Sequence, residues 1–365
     1  MYTSFRKWYF IGAVLVTIVA CRSKEQVGTV RQHPDRARFT FSEGATWQEV
    51  QVNEKINRLI KRLKTAKRQW RVGGWGESDP RIMFGEIGDV AQDRNGRIFV
   101  LDKENTVVRV FSSEGRYLFS IGGKGEGPGE FVYPEWLELD NHDTLYVTDR
   151  RRKIEVFVPT ETGYAYYRTI LLPITPSGGL CVSDSSLFVS QHTSGRDSLI
   201  YHLNKQGDLI SKFGNIYYVT ENRLVRLFIT RNYMICDFEK QRIFLVYRNA
   251  PLIQIYKTDG DLIDQIWVEN LILTGFEEQS DGGIFVSSDG IRLANIYILN
   301  NKLISTYMIL ESWNVQKLFG YIFDLDAKQY VFVDSIGMAR VRYIDDSVIL
   351  AEDYDDVPNI SYYTY

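Results

Sequence analysis

The sequence predicts an all-β fold, a ring of six four-stranded antiparallel blades, and three observations predict it. An apolar strand triplet recurs as Ile98-Phe99-Val100, Leu145-Tyr146-Val147, Leu187-Phe188-Val189, Ile243-Phe244-Leu245, Ile284-Phe285-Val286 and Tyr330-Val331-Phe332. Successive starts lie 47, 42, 56, 41 and 46 residues apart, which is the period of a β-propeller blade. The flanking turns travel with the triplet. Asp93 and Asp140 open the turn before it, and Asp102 and Asp149 end the strand, at one offset of 47 residues. Composition agrees: 44% of the 365 residues are hydrophobic and 14% aromatic, and aromatics pack well on half-buried pleated surfaces. The net charge of -3 provides no field that would recruit nucleic acid.

Residues 1–20 read as a signal peptide. Arg6 and Lys7 form its positive head, and Trp8 to Val19 is an apolar run too short to span a bilayer comfortably. Ile18-Val19-Ala20-Cys21 closes it and resembles a bacterial lipobox, in which the cysteine is acylated and becomes the new N-terminus. Cys21 is therefore the expected lipidation site, and its acyl chains the expected membrane contact. Arg22 follows, not the acidic residue that can mark inner-membrane retention, so the expected destination is the outer membrane. Residues 21–38 are polar and aperiodic, which suits a flexible tether.

Residues 39–80 are expected to form an N-terminal segment with a short helix and a strand that closes the ring. Ile56, Leu59, Ile60 and Leu63 have the spacing of one helix face. Arg71-Val72-Gly73-Gly74-Trp75-Gly76-Glu77 matches Ser120-Ile121-Gly122-Gly123-Lys124-Gly125-Glu126 at an offset of 49. The strand near Trp70 then reads as the outer strand of a blade whose other strands lie at the C-terminus. Ser347 to Glu352 competes for that outer position.

The propeller is expected over residues 81–352 and a tail over 353–365. In each unit a hairpin follows the triplet strand, with its tip at Ser113-Glu114-Gly115, Gln206-Gly207-Asp208 or Asp259-Gly260-Asp261; glycine supplies the positive φ of such tips. The longest gap places an extra loop or hairpin at residues 215–230, including Tyr217-Tyr218.

The run Ile121-Gly122-Gly123-Lys124-Gly125-Glu126-Gly127-Pro128-Gly129-Glu130-Phe131, preceded by Asp-x-x-Gly-x-Ile-Phe-Val-x-Asp from Asp93 to Asp102, resembles the six-bladed β-propeller lipoproteins common in Bacteroidetes, related in pattern to NHL repeats. The resemblance covers most of residues 70–350 and is strongest in the first two blades. It implies a lipid-anchored propeller at the cell envelope, facing the periplasm or the surface, and assigns no reaction.

The chemistry in the sequence is sparse. Gly122 to Gly129 is not a phosphate loop, because no Lys-Ser/Thr pair and no helix follow it; it reads as the connection between two blades. That connection brings Lys124 toward the loop Arg150, Arg151 and Arg152, a basic cluster fit to hold a carboxylate or an acidic glycan. His192, which follows the third triplet strand, is the histidine best placed on that face. His142 lies on the opposite face and His202 follows a strand-like run. Asp102, Asp149, Asp324 and Asp326 have oxygen ligands for a calcium ion, but strand-end capping is the commoner use; no metal site and no cofactor are expected. Trp136, Trp267 and Trp313 either stack on sugars or pack between blades. Cys181 and Cys236 occupy matching inner-strand positions and read as buried free thiols, bridgeable only within about 7 Å between Cα atoms. The leading expectation is a binding or scaffolding lipoprotein for a protein, peptide or glycan. The rival is a metal-assisted envelope hydrolase or lyase working at the central channel.

Overall fold

A computed structural model describes residues 38–41, 48–52, 54–195, 197–216, 222–249, 252–269, 276–278, 284–286, 290–311, 314–333, 340–345, 347–352 and 357–364. Cys21, the signal peptide, Tyr217-Tyr218 and Trp313 lie outside the described residues.

Blade 1 comprises β4 (Ile87–Gln92), β5 (Ile98–Asp102), β6 (Val107–Phe111) and β7 (Tyr117–Gly122). Blade 2 comprises β8 (Pro134–Leu139), β9 (Leu145–Asp149), β10 (Lys153–Thr160) and β11 (Gly163–Leu171), and blade 3 β12 (Gly179–Val182), β13 (Ser186–Ser190), β14 (Ile200–Asn204) and β15 (Leu209–Phe213). Blade 4 comprises β16 (Asn232–Asp237), β17 (Arg242–Tyr247), β18 (Leu252–Lys257) and β19 (Leu262–Glu269), edged by β1 (Arg38–Phe41). Each is an antiparallel meander. The fifth blade is β22 (Gly290–Leu299), β23 (Lys302–Glu311), β24 (Asn314–Asp324) and β25 (Gln329–Val333), with β2 (Gln48–Glu49) running parallel along its outer edge. The sixth is β26 (Arg340–Ile344), β27 (Val348–Glu352), β28 (Asn359–Thr364) and, from the other end of the chain, β3 (Lys67–Gly73). The inner strands neighbour one another in the order β4, β8, β12, β16, β22, β26 and back to β4. The fold is a closed six-bladed propeller.

The triplets have no exposed face because each blade is covered on both sides. Phe99 and Leu101 point into a core shared with blade 2, while Ile98 and Val100 point into one shared with blade 6. Every pair of adjacent blades has such a core. At about 25 cal/mol for each Å² of apolar surface buried, it is the neighbour that stabilises a blade.

Four triplets lie where the period places them, in the second strands of blades 1 to 4. The last two do not. Ile284-Phe285-Val286 belongs to a separate hairpin of β20 (Phe276–Glu278) and β21 (Ile284–Val286), and Tyr330-Val331-Phe332 lies in β25, the fourth strand of its blade. The second strands of blades 5 and 6 are β23 and β27. Ser347 to Glu352 thus contributes a second strand and no outer one. Within the expected tail, 359–364 form the third strand of blade 6. Asp324 and Asp326 belong to blade 5, one ending β24 and the other in the turn to β25.

Helix α1 (Glu54–Thr65) buries Ile56 and Leu59 against blades 5 and 6. In place of the expected loop or hairpin, the insert before blade 4 contains helix α2 (Arg223–Ile229), whose N-cap Asn222 accepts from the Leu224 and Val225 amides. No helix among the described residues is long and apolar enough to cross a membrane.

Cys181 on β12 and Cys236 on β16 form a disulfide, with Cα atoms 6.1 Å apart. The expectation of free thiols is therefore wrong. Blade 3 approaches blade 4 closely at its inner strand: a Cβ on Gly179 would meet the Met234 Cβ at 3.0 Å and its backbone nitrogen at 3.1 Å. That proximity brings two matching inner-strand positions within bridging distance.

Candidate functional site

The residues that begin an inner strand and those that follow a second strand share one end of the ring, here called the upper face. Backbone bonds from Arg150 N–H to the Tyr133 carbonyl and from Arg248 N–H to the Arg231 carbonyl mark it in blades 2 and 4. The glycine-rich connection also lies there, and its contacts are internal. Gly122 has φ of +80° and packs on Phe131, where a Cβ would lie 2.1 Å from the ring. Glu130 folds back to accept the Gly127 amide at 2.8 Å. Asp102 and Asp149 cap loops in matching ways: Asp102 accepts from Gly85, Glu86 and Asn105, and Asp149 from Val132, Tyr133 and Arg151. Their oxygens are used by the fold.

The Arg150 to Arg152 loop is largely neutralised. Arg150 faces Glu135 at 3.7 Å, and Glu135 also binds Lys103 at 3.1 Å. Arg151 pairs with Glu126 of the connection at 3.3 Å and lies over the Tyr133 ring. Arg152 donates to the Pro173 carbonyl. Lys124 is exposed, and the connection's link to the arginine loop is through Glu126.

His192 turns inward. Its Nε2 lies 3.3 Å from the Asn232 carbonyl oxygen, and its own amide donates to Ser177 Oγ. Burial holds its pKa down to about 4, and the charges of Arg248, Arg231 and Arg150 act in the same direction. His192 is thus a neutral group that feels three guanidinium charges, two of them unforeseen. Arg231 and Arg248 flank strands β16 and β17, and neither has an ion-pair partner among the described residues. Burial, and then the charge of Arg248, lower the pKa of Arg231. Arg248 lies over the Tyr233 ring at 4.9 Å, and Tyr233 meets Trp136 edge to face at 5.9 Å. Trp136 comes from blade 2 and Tyr233 from blade 4, so the two rings cross the inner end of blade 3, where Gly178 and Gly179 carry no side chain.

Along the inner strands, β-bulges in blades 1, 2 and 6 remove Asp89, Trp136 and Arg342 from their ladders. A bulge re-aims the residues it contains. Asp89 accepts from the Leu137 amide of blade 2 at 3.2 Å, and Arg342 donates to the Ile87 and Gly88 carbonyls of blade 1 and pairs with Glu352. Burial pushes the Asp89 carboxyl up to about 6; burial and the Asp89 charge push Glu138 up to about 8. The sequence reading missed both acids. Asp89 stands 47 residues before Trp136, in the matching position, and that offset was the available signal.

The other candidates have structural surroundings. His142 is exposed in the β8–β9 turn at the lower face, and His202 stacks on Phe188 at 4.3 Å. Trp267 is in β19. No group of three or more His, Cys, Asp or Glu side chains able to hold a metal ion occurs among the described residues.

Fold and site together define a six-bladed propeller with a cationic, aromatic-lined mouth. The chain belongs to the 6-bladed beta-propeller family DUF5128, which matches residues 77–268. Two solved Bacteroides propellers share the fold. One, a Bacteroides fragilis protein described as exported, is 15% identical with a TM-score of 0.55, covering 87% of this chain and 98% of that one. The other, a DUF4221 family member from Bacteroides vulgatus, is 8% identical with a TM-score of 0.54, covering 82% and 97%. Virginiamycin B lyase from Staphylococcus aureus is a looser match, 10% identical with a TM-score of 0.46 over 78% and 97%. No curated protein matches the chain.

Proposed function

We propose that this chain is an envelope-anchored binding protein, held at the outer membrane through an acylated Cys21, whose propeller presents its upper mouth to a protein, peptide or glycan. One observation carries the binding role: Arg231 and Arg248 stand at the mouth without an ion-pair partner among the described residues, beside the half-buried rings of Tyr233 and Trp136. Charges without an ion-pair partner among the described residues are available to a ligand. The export reading is supported by the lipobox-like run, by the description of the Bacteroides fragilis propeller, and by the Cys181–Cys236 disulfide, since disulfides persist in oxidising compartments.

Two experiments test this reading. Wild-type cells labelled with a radioactive fatty acid are expected to yield a labelled protein that Cys21→Ala abolishes; a label that survives the substitution overturns the anchor. A glycan and peptide array probed with the wild type and with Trp136→Ala/Arg248→Ala is expected to show binding that the double substitution removes. Hits indifferent to those residues overturn the mouth as the site.

The rival reading, a hydrolase or lyase working at the channel, has one observation of its own. A bulge turns Asp89 out of its ladder to accept from the Leu137 amide of blade 2, and burial pushes the Asp89 and Glu138 carboxyls up to about 6 and about 8, toward the range in which general acids and bases work. Loss of a measured turnover in Glu138→Gln, with folding intact, would favour it.

A further inference from the structure

We infer that the mouth recognises a carboxylate-bearing glycan, the acid held by Arg231 and Arg248 and a sugar ring laid against Tyr233 and Trp136. The inference rests on the reading of the mouth as a binding site and adds the class of ligand.

Charge is the first ground. Arg231 and Arg248 are joined through the backbone, Arg248 N–H to Arg231 carbonyl at 2.8 Å, so their side chains leave adjoining strand ends. The Arg248 charge reaches Arg231, whose largely exposed guanidinium lies over the Phe228 ring at 5.8 Å. Elsewhere on the upper face Lys103 and Arg150 face Glu135, and Arg151 pairs with Glu126, while Arg152 donates to a carbonyl and Lys124 is exposed to solvent. At blade 4 no acid matches Arg231 or Arg248 among the described residues. A ligand carboxylate provides the missing charge, and guanidinium groups bind it through two parallel N–H bonds.

Geometry is the second ground. Thr230, Asn232 and Ser190 tie the loops of blades 3 and 4 together: Thr193 donates to Thr230 Oγ1, Asn232 Nδ2 to the Gln191 carbonyl, and Ser190 Oγ to Asn232 Oδ1. Arg226 of α2 donates to the Ser194 carbonyl. The arginines therefore stand on a braced support, and a preorganised site loses less entropy on binding. Neutral His192 beside them adds hydrogen-bonding capacity without adding charge. Trp136 and Tyr233 supply apolar ring surface, which a sugar's C–H face can cover and a simple inorganic anion cannot.

The test uses the full mature chain in calorimetry with three probes: an oligogalacturonate, the same oligosaccharide with its carboxylates methyl-esterified, and an oligoglutamate peptide. The acid sugar is expected to bind at least tenfold more tightly than either of the others, with an affinity that falls as salt rises. Arg231→Gln/Arg248→Gln is expected to remove the gap between acid and ester with an unchanged melting temperature, and Trp136→Ala to remove the gap between sugar and peptide. Equal binding of acid and ester, equal binding of sugar and peptide, binding of no probe, or a gap that survives Arg231→Gln/Arg248→Gln each overturns the inference. A neutral array ligand lost in Trp136→Ala/Arg248→Ala would leave the mouth standing as a binding site while the acid class falls.

Discussion

Trp70 of β3 stacks on Tyr362 of β28 at 5.0 Å, and the two residues are direct partners in the ladder that joins the chain's ends. The ring is sealed by that ladder, with Trp70 Nε1 also donating to the Ser113 carbonyl of blade 1. Trp70→Ala removes the stack, the hydrogen bond and part of the blade 6–blade 1 core. An expected loss of about 2–4 kcal/mol would appear as a fall in melting temperature followed by circular dichroism. Deletion of 39–80 should abolish cooperative unfolding altogether; an unchanged transition would mean that blade 6 stands without β3.

The Cys181–Cys236 bond joins two blades across 55 residues of sequence. Cys181→Ser and Cys236→Ser are each expected to cost about 2–4 kcal/mol, and the double variant no more than either single one. Peptide mapping without reductant should recover the cross-linked pair; two free thiols in protein from the envelope fraction would contradict the bridge.

Much of the fold was legible because blades 1 to 4 repeat both the apolar triplet and its turns. The reading failed in blade 5 for a physical reason. In a meander every strand is apolar and alternating, so a triplet alone does not say which strand it occupies; turn chemistry must decide. Blade 5 turns from β22 to β23 through Asn300-Asn301, both at positive φ (52° and 57°), in place of the turns that Asp93 and Asp140 open in blades 1 and 2. At the site, Arg150 was legible from its place after a second strand. Arg248 occupies the same place in blade 4 and could have been found by the same rule. Tyr233 against Trp136 could not, since their meeting depends on how far Gly178 and Gly179 let the neighbouring blades approach. The disulfide was hidden likewise, because it follows from a Cα separation and not from spacing.

The glycine connection gives a controlled comparison. Gly122 and Gly76 both have positive φ, 80° and 84°, but a Cβ at Gly122 would strike Phe131 at 2.1 Å while one at Gly76 meets nothing within 4 Å. Gly76→Ala should cost only the backbone strain, about 1–2 kcal/mol. Gly122→Ala adds displacement of a fully buried ring and is expected to cost at least about 1 kcal/mol more. Equal denaturant midpoints would show that the connection is held by backbone conformation alone.

His192 and the Asp89–Glu138 pair should pull stability in opposite directions as pH changes. His192 falls from 6.5 to about 4 on folding, so the unfolded chain binds the proton more readily between those values; its contribution is complete above pH 6.5 and is lost on acidification toward pH 4. For Asp89, raised from 3.8 to about 6, and Glu138, raised from 4.5 to about 8, the folded chain holds the proton. Their contribution is complete below about pH 4 and declines as pH rises through 6 and then 8. Two acids outweigh one histidine, so the summed contribution of the three groups falls as pH rises from about 4 to 8, more steeply wherever His192 no longer offsets it. Glu138→Gln is expected to reduce that fall by about 1–3 kcal/mol after allowance for solvent screening, and His192→Gln to steepen it between about pH 4 and 6.5. Because the Asp89 charge is the second cause of the Glu138 shift, Asp89→Asn should also lower the Glu138 pKa, which carboxyl NMR titration would read directly. A Glu138 midpoint unmoved by Asp89→Asn would mean that burial alone holds its proton, and the two acids would then be separate groups in one channel.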